Sequence, residues 1–310
     1  AVCLSQLYHE HKRGVSAGYA KFETFPIWNL PLKHPVNLAY EAATADLNDV
    51  NMIDPYHLEA YGATAVNYNR DIEVFPVLNA MFETIAGASP YKSPTDMGVN
   101  MAGFCVTDDE AVREAAKMEI LRRYYKVRRD YRLGQVGEEA VRKVESVMTQ
   151  AGVEISMRRV AAPALEKAAE TGEPAGAIEL PDGTIVTGKT TALLGACSAM
   201  LINALKRLGG INQDIHLISP NFIEPIQRLK TGYLGNKNPR LHTDEVLMAL
   251  TISAATNPAA ELALKQLGRL RGCEAHSSVL LSQVDDNVFR NLGVNLTCEP
   301  DYQTKQLFHK

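Results

Sequence analysis

Apolar positions recur along this chain with two periods. Between Arg70 and Ala86, the residues Ile72, Val74, Phe75, Leu78, Met81, Phe82 and Ile85 share one broad face at helical spacing, which predicts a helix with Pro76 in its first turn. Val2, Leu4, Leu7 and Tyr8 predict an opening helix stopped at Gly14. Further helices are expected over about 36–47, 190–208, 224–231 and 244–255, from Asn257-Pro258 to Gly272, and from about Asp286. Alternating or continuously apolar stretches predict strands at 18–25, 50–54, 177–180, 215–219, 276–282 and 294–298. Thr107-x-x-Glu110 reads as a capping box opening a long helix to about Leu133; Gly134 and Gly137 break it, and a second helix runs from Glu138 to Gln150.

This order predicts an α/β protein, with three-layer α/β parts and an inserted helical hairpin. The expected boundaries are 1–106 for a truncated nucleotide-binding-like α/β domain, 107–158 for the hairpin and 159–310 for a second α/β domain. The first residues lie inside a helix, with no Met and no signal-peptide core ahead of them, so a truncated or processed chain is expected.

Composition narrows the class. The chain has 310 residues, 46% hydrophobic and 22% charged, enough to bury a sizeable core in two or three domains. A net charge of −4 argues against a dedicated nucleic-acid binder, although six of the twelve residues from Leu121 to Arg132 are Lys or Arg, interleaved with Tyr124, Tyr125 and Tyr131. A solvated or intersubunit helix face is the expected role of that stripe, and a homo-oligomer the expected state. No apolar run approaches the roughly 20 residues that cross a bilayer. Five scattered cysteines without a C-x-x-C pair point to a reduced, cytoplasmic setting.

Residues Gly183–Thr190 (GTIVTGKT) match the phosphate-loop pattern letter for letter. A phosphate loop wraps its backbone around an anion, yet Thr184, Ile185, Val186 and Thr187 are all β-branched and favour extended chain. With Pro181-Asp-Gly183 as turn chemistry, the segment reads as strand, tight turn, strand, and then a helix starting near Thr190. At that helix start Lys189 and Thr190 are placed to meet an anion; otherwise Thr190 caps the helix and Lys189 is solvated.

Several long, irregular strings are similar to the bacterial domain of unknown function 1846 family: Lys33–Leu47 (KHPVNLAYEAATADL), Asn67–Glu73 (NYNRDIE), Ser93–Asn100 (SPTDMGVN), Asn238–His242 (NPRLH) and Gly272–His276 (GCEAH). The resemblance covers essentially the whole chain. It implies members that are longer at the N-terminus, with a Gly-Pro-Gly-Ser-Gly-Lys-like loop just before the stretch resembling Cys3–Glu10, so that ATP with Mg would enter through a segment absent from this chain.

The candidate chemistry gathers at polar loop ends. Asp96 sits beside Thr95, Gly98 and Asn100 in a long Gly/Pro-containing loop, and Asp54, after an apolar strand, could hold Mg²⁺ through water. Arg240 could clamp a phosphate or carboxylate in fork geometry, and His242 could act as general acid or base; a plain helix start, with Asp244 and Glu245 in its first turn, is the alternative. His276 stands beside Glu274 and Cys273, too few ligands for zinc, so no metal set is assigned. Asp96, His242 and His276 are thus the candidate catalytic residues, and Lys189, Thr190 and Arg240 the candidate cofactor-binding ones. Asp96, Lys189 and the Arg240/His242 pair are expected to converge on one cleft. The expected activity is ATP- or phosphate-dependent transfer or ligation on a small anionic metabolite, with a non-catalytic nucleotide or metabolite sensor, or an oligomeric scaffold, as the alternatives.

Overall fold

A computed structural model describes residues 2–20 and 26–303, which form two compact units, Ala1–Val127 with Gly134–Glu154, and Arg128–Leu133 with Ile155–Lys310. The chain is mixed helix and sheet throughout, as an α/β fold requires.

The first unit contains α1 (Val2–Lys12), α2 (Pro35–Ala43), β1 (Asn51–Ile53), α3 (Pro55–Tyr61), β2 (Val66–Tyr68), α4 (Asn69–Ala86), most of α5 (Asp109–Arg132) and α6 (Glu138–Ala151). β1 and β2 pair antiparallel with Met52 opposite Asn67. The spacing that predicted α4 also chose its buried face, since Ile72, Phe75 and Phe82 enter the core, where Phe75 and Phe82 cluster with Leu7 of α1. Pro76 is the eighth residue of α4 rather than part of its first turn; the helix tolerates the missing N–H because packing on Phe75 and Phe82 holds both sides of it. The cap of α5 is Asp108, whose carboxylate accepts the Ala111 N–H, rather than Thr107. Of the predicted 18–25 strand, 18–20 are irregular and 21–25 lie outside the described residues.

The second unit contains α7 (Ala161–Thr171), β3 (Ala175–Glu179), β4 (Ile185–Lys189), α8 (Ala196–Leu208), α9 (Pro220–Gly232), α10 (Thr243–Ala254), α11 (Pro258–Leu264), β5 (Glu274–Ser277), α12 (Gln283–Asn291) and β6 (Asn295–Cys298). Its sheet order is β4-β3-β5-β6; β3 runs antiparallel to both β4 and β5, and β5 runs parallel to β6. Alternation along the strands dresses the two faces differently. Ala177 and Ile185 pack on Val160 and Ala164 beside α7, whereas Ile178 and Val186 join Met200 and Leu201 of α8 in the main core. This unit is therefore three-layered, with helices on both faces of the sheet. Residues 215–219, expected as a strand, are irregular: Leu217 and Ile218 both enter the core, and the carbonyls of His216 and Leu217 accept from the Asn257 side-chain amide instead of a neighbouring strand.

A candidate anion site at the start of α8

GTIVTGKT is a hairpin, and each of its glycines has a mechanical role. Gly183, at φ 79°, occupies the left-handed region in the turn that Leu180 closes by donating to the Thr184 carbonyl at 2.9 Å. Gly188 lets β4 press against α8, because a Cβ there would run into the backbone of Ala199 and Met200. The residues between them pair with β3 over the register Ala177↔Thr187, Ile178↔Val186 and Glu179↔Ile185, so their backbone is used in a ladder and cradles no phosphate.

The helix after the hairpin starts at Ala196 rather than at Thr190, a correction to the expected start. Lys189 ends β4 and lines a depression with Lys206 and His216. Thr190 donates its backbone N–H to the Pro174 carbonyl at 2.7 Å and turns its side chain inward. Thr191 then folds the chain back, its hydroxyl accepting from the N–H groups of Leu193 and Leu194. The N-cap of α8 is Gly195, which has no side chain with which to cap.

This bare helix end lies beside the NPRLH segment. Leu241 donates to the Leu193 carbonyl at 3.0 Å, and its own carbonyl accepts from Gly195 N–H at 3.3 Å and Ser198 hydroxyl at 2.9 Å. Residues 240 and 242 are thereby brought to the same place. Arg240 Nε donates to the Thr191 carbonyl at 2.9 Å. Beneath, the buried Lys230 ammonium donates to the Arg240 carbonyl and to a Glu245 carboxylate oxygen, each at 2.6 Å; that same oxygen accepts from the His242 N–H at 2.8 Å. His242 is the N-cap of α10. A small pocket of about 40 Å³ is lined by Thr190, Gly195, Cys197, Arg240, His242 and Asp285, among others, all within the second unit.

Asp285 orders the far wall. Its Oδ1 accepts from the Thr243 N–H at 3.1 Å and hydroxyl at 2.9 Å, and its Oδ2 accepts from the Ser282 hydroxyl at 2.7 Å and faces His242 Nδ1 at 3.4 Å. Burial by itself pushes the Asp285 carboxyl up; the hydrogen bonds from His242, Ser282 and the Thr243 backbone outweigh it and hold the group below the usual carboxylate range. Cys197, in the first turn of α8, goes the other way. Burial, then the Asp285 charge, raise its thiol well above normal, so it is protonated at neutral pH despite its place at a helix start.

Thr190, Arg240 and His242 thus share one pocket. Asp96 belongs to the first unit, where its Oδ2 accepts from the N–H groups of Lys92 and Ser93 and from the Tyr61 hydroxyl, closing a capping box with Ser93. Asp54, in the same unit, caps α3 through Tyr56 and His57 and accepts both the N–H and the hydroxyl of Thr95, which fills both oxygens. His276 lies inside the sheet, with Nδ1 at 2.8 Å from Thr297 Oγ1 and Nε2 at 3.5 Å from Glu299. Arg158, fully buried, spans the same strands by donating to Thr297 Oγ1, Glu274 and the Ala275 and Asn295 carbonyls. Among the described residues no group of three or more His, Cys, Asp or Glu could hold a metal ion. Asp285, Ser282 and the open Gly195 were not singled out by sequence reasoning. The Ser282-x-x-Asp285 spacing, a capping pattern, was a signal that could have placed the start of α12 at Gln283. Arg122 and Arg123 of the basic stripe pair with Glu119, and Arg129 with Asp130.

Two family models match the chain, "Domain of unknown function DUF1846, N-terminal" over residues 1–152 and "Domain of unknown function DUF1846, C-terminal" over residues 156–308. A UPF0371 protein of Corynebacterium urealyticum is 60% identical over 310 residues, 100% of this chain and 62% of that protein. One of Corynebacterium efficiens is 60% identical, and one of Streptococcus pyogenes serotype M3 is 58% identical, each over 100% of this chain and 63% of the relative. The chain therefore spans less than two thirds of the length of these relatives. It belongs to the bacterial DUF1846 family.

Proposed function

We propose that the second unit acts on a small anionic metabolite, a phosphorylated or carboxylated one, by group transfer or ligation, with His242 as general acid and base. The observation that carries this reading is the His242–Asp285 pair beside Arg240 in one pocket. A carboxylate facing Nδ1 favours the tautomer with the proton on that nitrogen, which makes Nε2 the basic one. An imidazole so held can take a proton from an incoming hydroxyl or amine and return one to a leaving group, while Arg240 binds the substrate's anionic group in fork geometry.

No step of this reading runs through ATP. The GTIVTGKT hairpin offers no phosphate cradle, and both carboxylate oxygens of Asp54 are hydrogen-bonded within the protein. Self-association and a cytoplasmic setting belong to the same proposal. The five cysteines are free, and among the described residues no helix is long and apolar enough to cross a membrane. Thermal-shift screening of phosphorylated and carboxylated metabolites and nucleotides, followed by turnover assays, is the test. His242→Asn should lower turnover of the identified substrate by about 10²–10⁴-fold. Stabilising ligands that are bound but never turned over would favour a sensor, and unchanged turnover in His242→Asn would remove the acid–base role.

A further inference from the structure

The geometry points to a phosphoryl subsite at the start of α8, formed by the Thr190 hydroxyl, the first N–H groups of α8 and the Arg240 guanidinium. The substrate class is then a phosphomonoester of a small metabolite. This rests on the reading of the pocket as the site of action and names the group it grips.

Thr190 carries the argument. The residue is 2% exposed and lines the pocket; its backbone N–H is committed to Pro174, and its Oγ1 is closed off from solvent without a hydrogen-bond partner. A buried hydroxyl is ordinarily paired, because leaving one unpaired forfeits its hydration for nothing in return. The neighbouring hydroxyls are paired, Ser277 with the Val279 carbonyl and Ser282 with Asp285. Thr190 is the exception in the wall, and a ligand oxygen would supply what it lacks.

The helix end is open for a reason other than backbone conformation. Gly195 sits at φ −70°, where any residue is comfortable, and a Cβ there would meet nothing nearer than the Leu241 carbonyl at 3.8 Å. A serine or aspartate would fit and would cap the helix. Glycine leaves the first N–H groups of a 13-residue helix facing the pocket, where they and the helix dipole favour an anion.

Arg240 closes the third side. Its Nε is anchored on the Thr191 carbonyl, which fixes the plane of the guanidinium, and among the described residues it makes no ion pair. Its two terminal nitrogens therefore remain to grip an anion. Asp285, the carboxylate in the wall, has its oxygens taken up by the Thr243 N–H and hydroxyl and by the Ser282 hydroxyl. Donors from a hydroxyl, a helix end and a guanidinium outnumber what the two oxygens of a carboxylate accept and suit the three terminal oxygens of a phosphoryl group.

The test is titration of the protein with inorganic phosphate by calorimetry and ³¹P NMR, with acetate as the carboxylate control. Thr190→Val, which keeps the shape, and Arg240→Gln should each weaken phosphate binding about tenfold or more. Gly195→Asp should abolish it while raising the melting temperature of the unliganded protein, because the new carboxylate caps α8; Gly195→Ser, a neutral cap, covers the case in which Gly195→Asp does not fold. His242→Asn should keep phosphate affinity within about threefold, so a lost turnover with retained binding separates the acid–base reading from this one. Equal phosphate affinity in Thr190→Val, Arg240→Gln and the wild type, or binding of acetate without phosphate, overturns the subsite.

Discussion

Gly188 of β4 and Met200 of α8 meet with no room for a side chain between them, since a Cβ on Gly188 would strike the Met200 backbone nitrogen and α-carbon. The second glycine of the GKT match is thus a packing glycine. Gly188→Ala should force β4 and α8 apart and cost about 1–3 kcal/mol, read as a lower urea midpoint at unchanged slope. Lys189→Ala, on an exposed side chain, should stay within about 0.5 kcal/mol of wild type and leave phosphate affinity unaltered. A large loss of phosphate affinity in Lys189→Ala would restore the phosphate-loop reading.

Arg158 is the buried clasp of the second sheet. Its guanidinium is 1% exposed and bridges Glu274, Thr297 and two strand carbonyls, on β5 and β6. Arg158→Ala removes the buried cation from the Glu274 carboxylate, which keeps the Asn295 side-chain amide, and one donor from each of the other acceptors; it should cost about 3–5 kcal/mol in equilibrium denaturation. A loss below about 1 kcal/mol would mean that water replaces the guanidinium at no net cost.

Stability should fall on mild acidification. Burial lowers the His276 pKa below its ordinary 6.5, so the unfolded chain binds that proton first; stability therefore declines as pH drops below about 6.5. Glu299 adds to the trend at lower pH. Its carboxyl is lowered, first by the hydrogen bond from His276, so the stability it contributes is present above the unfolded carboxylate value of 4.5 and lost as pH falls through its folded value. Melting temperatures from pH 7.5 to 4 measure this, and His276→Gln should flatten the upper part of the curve. An unchanged slope there would assign the acid sensitivity to other groups.

Asp285 positions His242 rather than touching substrate. Asp285→Asn should lower turnover about 10–10³-fold in kcat while leaving KM within about threefold, because the imidazole loses the acceptor that holds its tautomer and orientation. A purely structural role would lower the amount of folded protein and leave the kcat of the remainder in place.

Local chemistry decided much of this protein in advance. The β-branched run 184–187 between turn and glycine could only be a strand, so the hairpin was legible although a phosphate-loop pattern lay over it. The apolar spacing of α4 also named the residues that its core takes. Asn257-Pro258 marked the start of α11 because a cap and a first-turn proline act within one turn. What needed the tertiary structure was every relationship between distant segments. Thr190 lost its expected helix start because the chain from 190 to 195 must first reach Leu241, and no local signal encodes that strand-like bridge. Arg240 and His242 became neighbours of Thr190 through it. His276 was set against Thr297 and Glu299 by its register in the sheet. Residue type and spacing specify short-range hydrogen bonding and which face is apolar; which polar groups end up sharing a pocket is set by packing, whose partners lie tens of residues away.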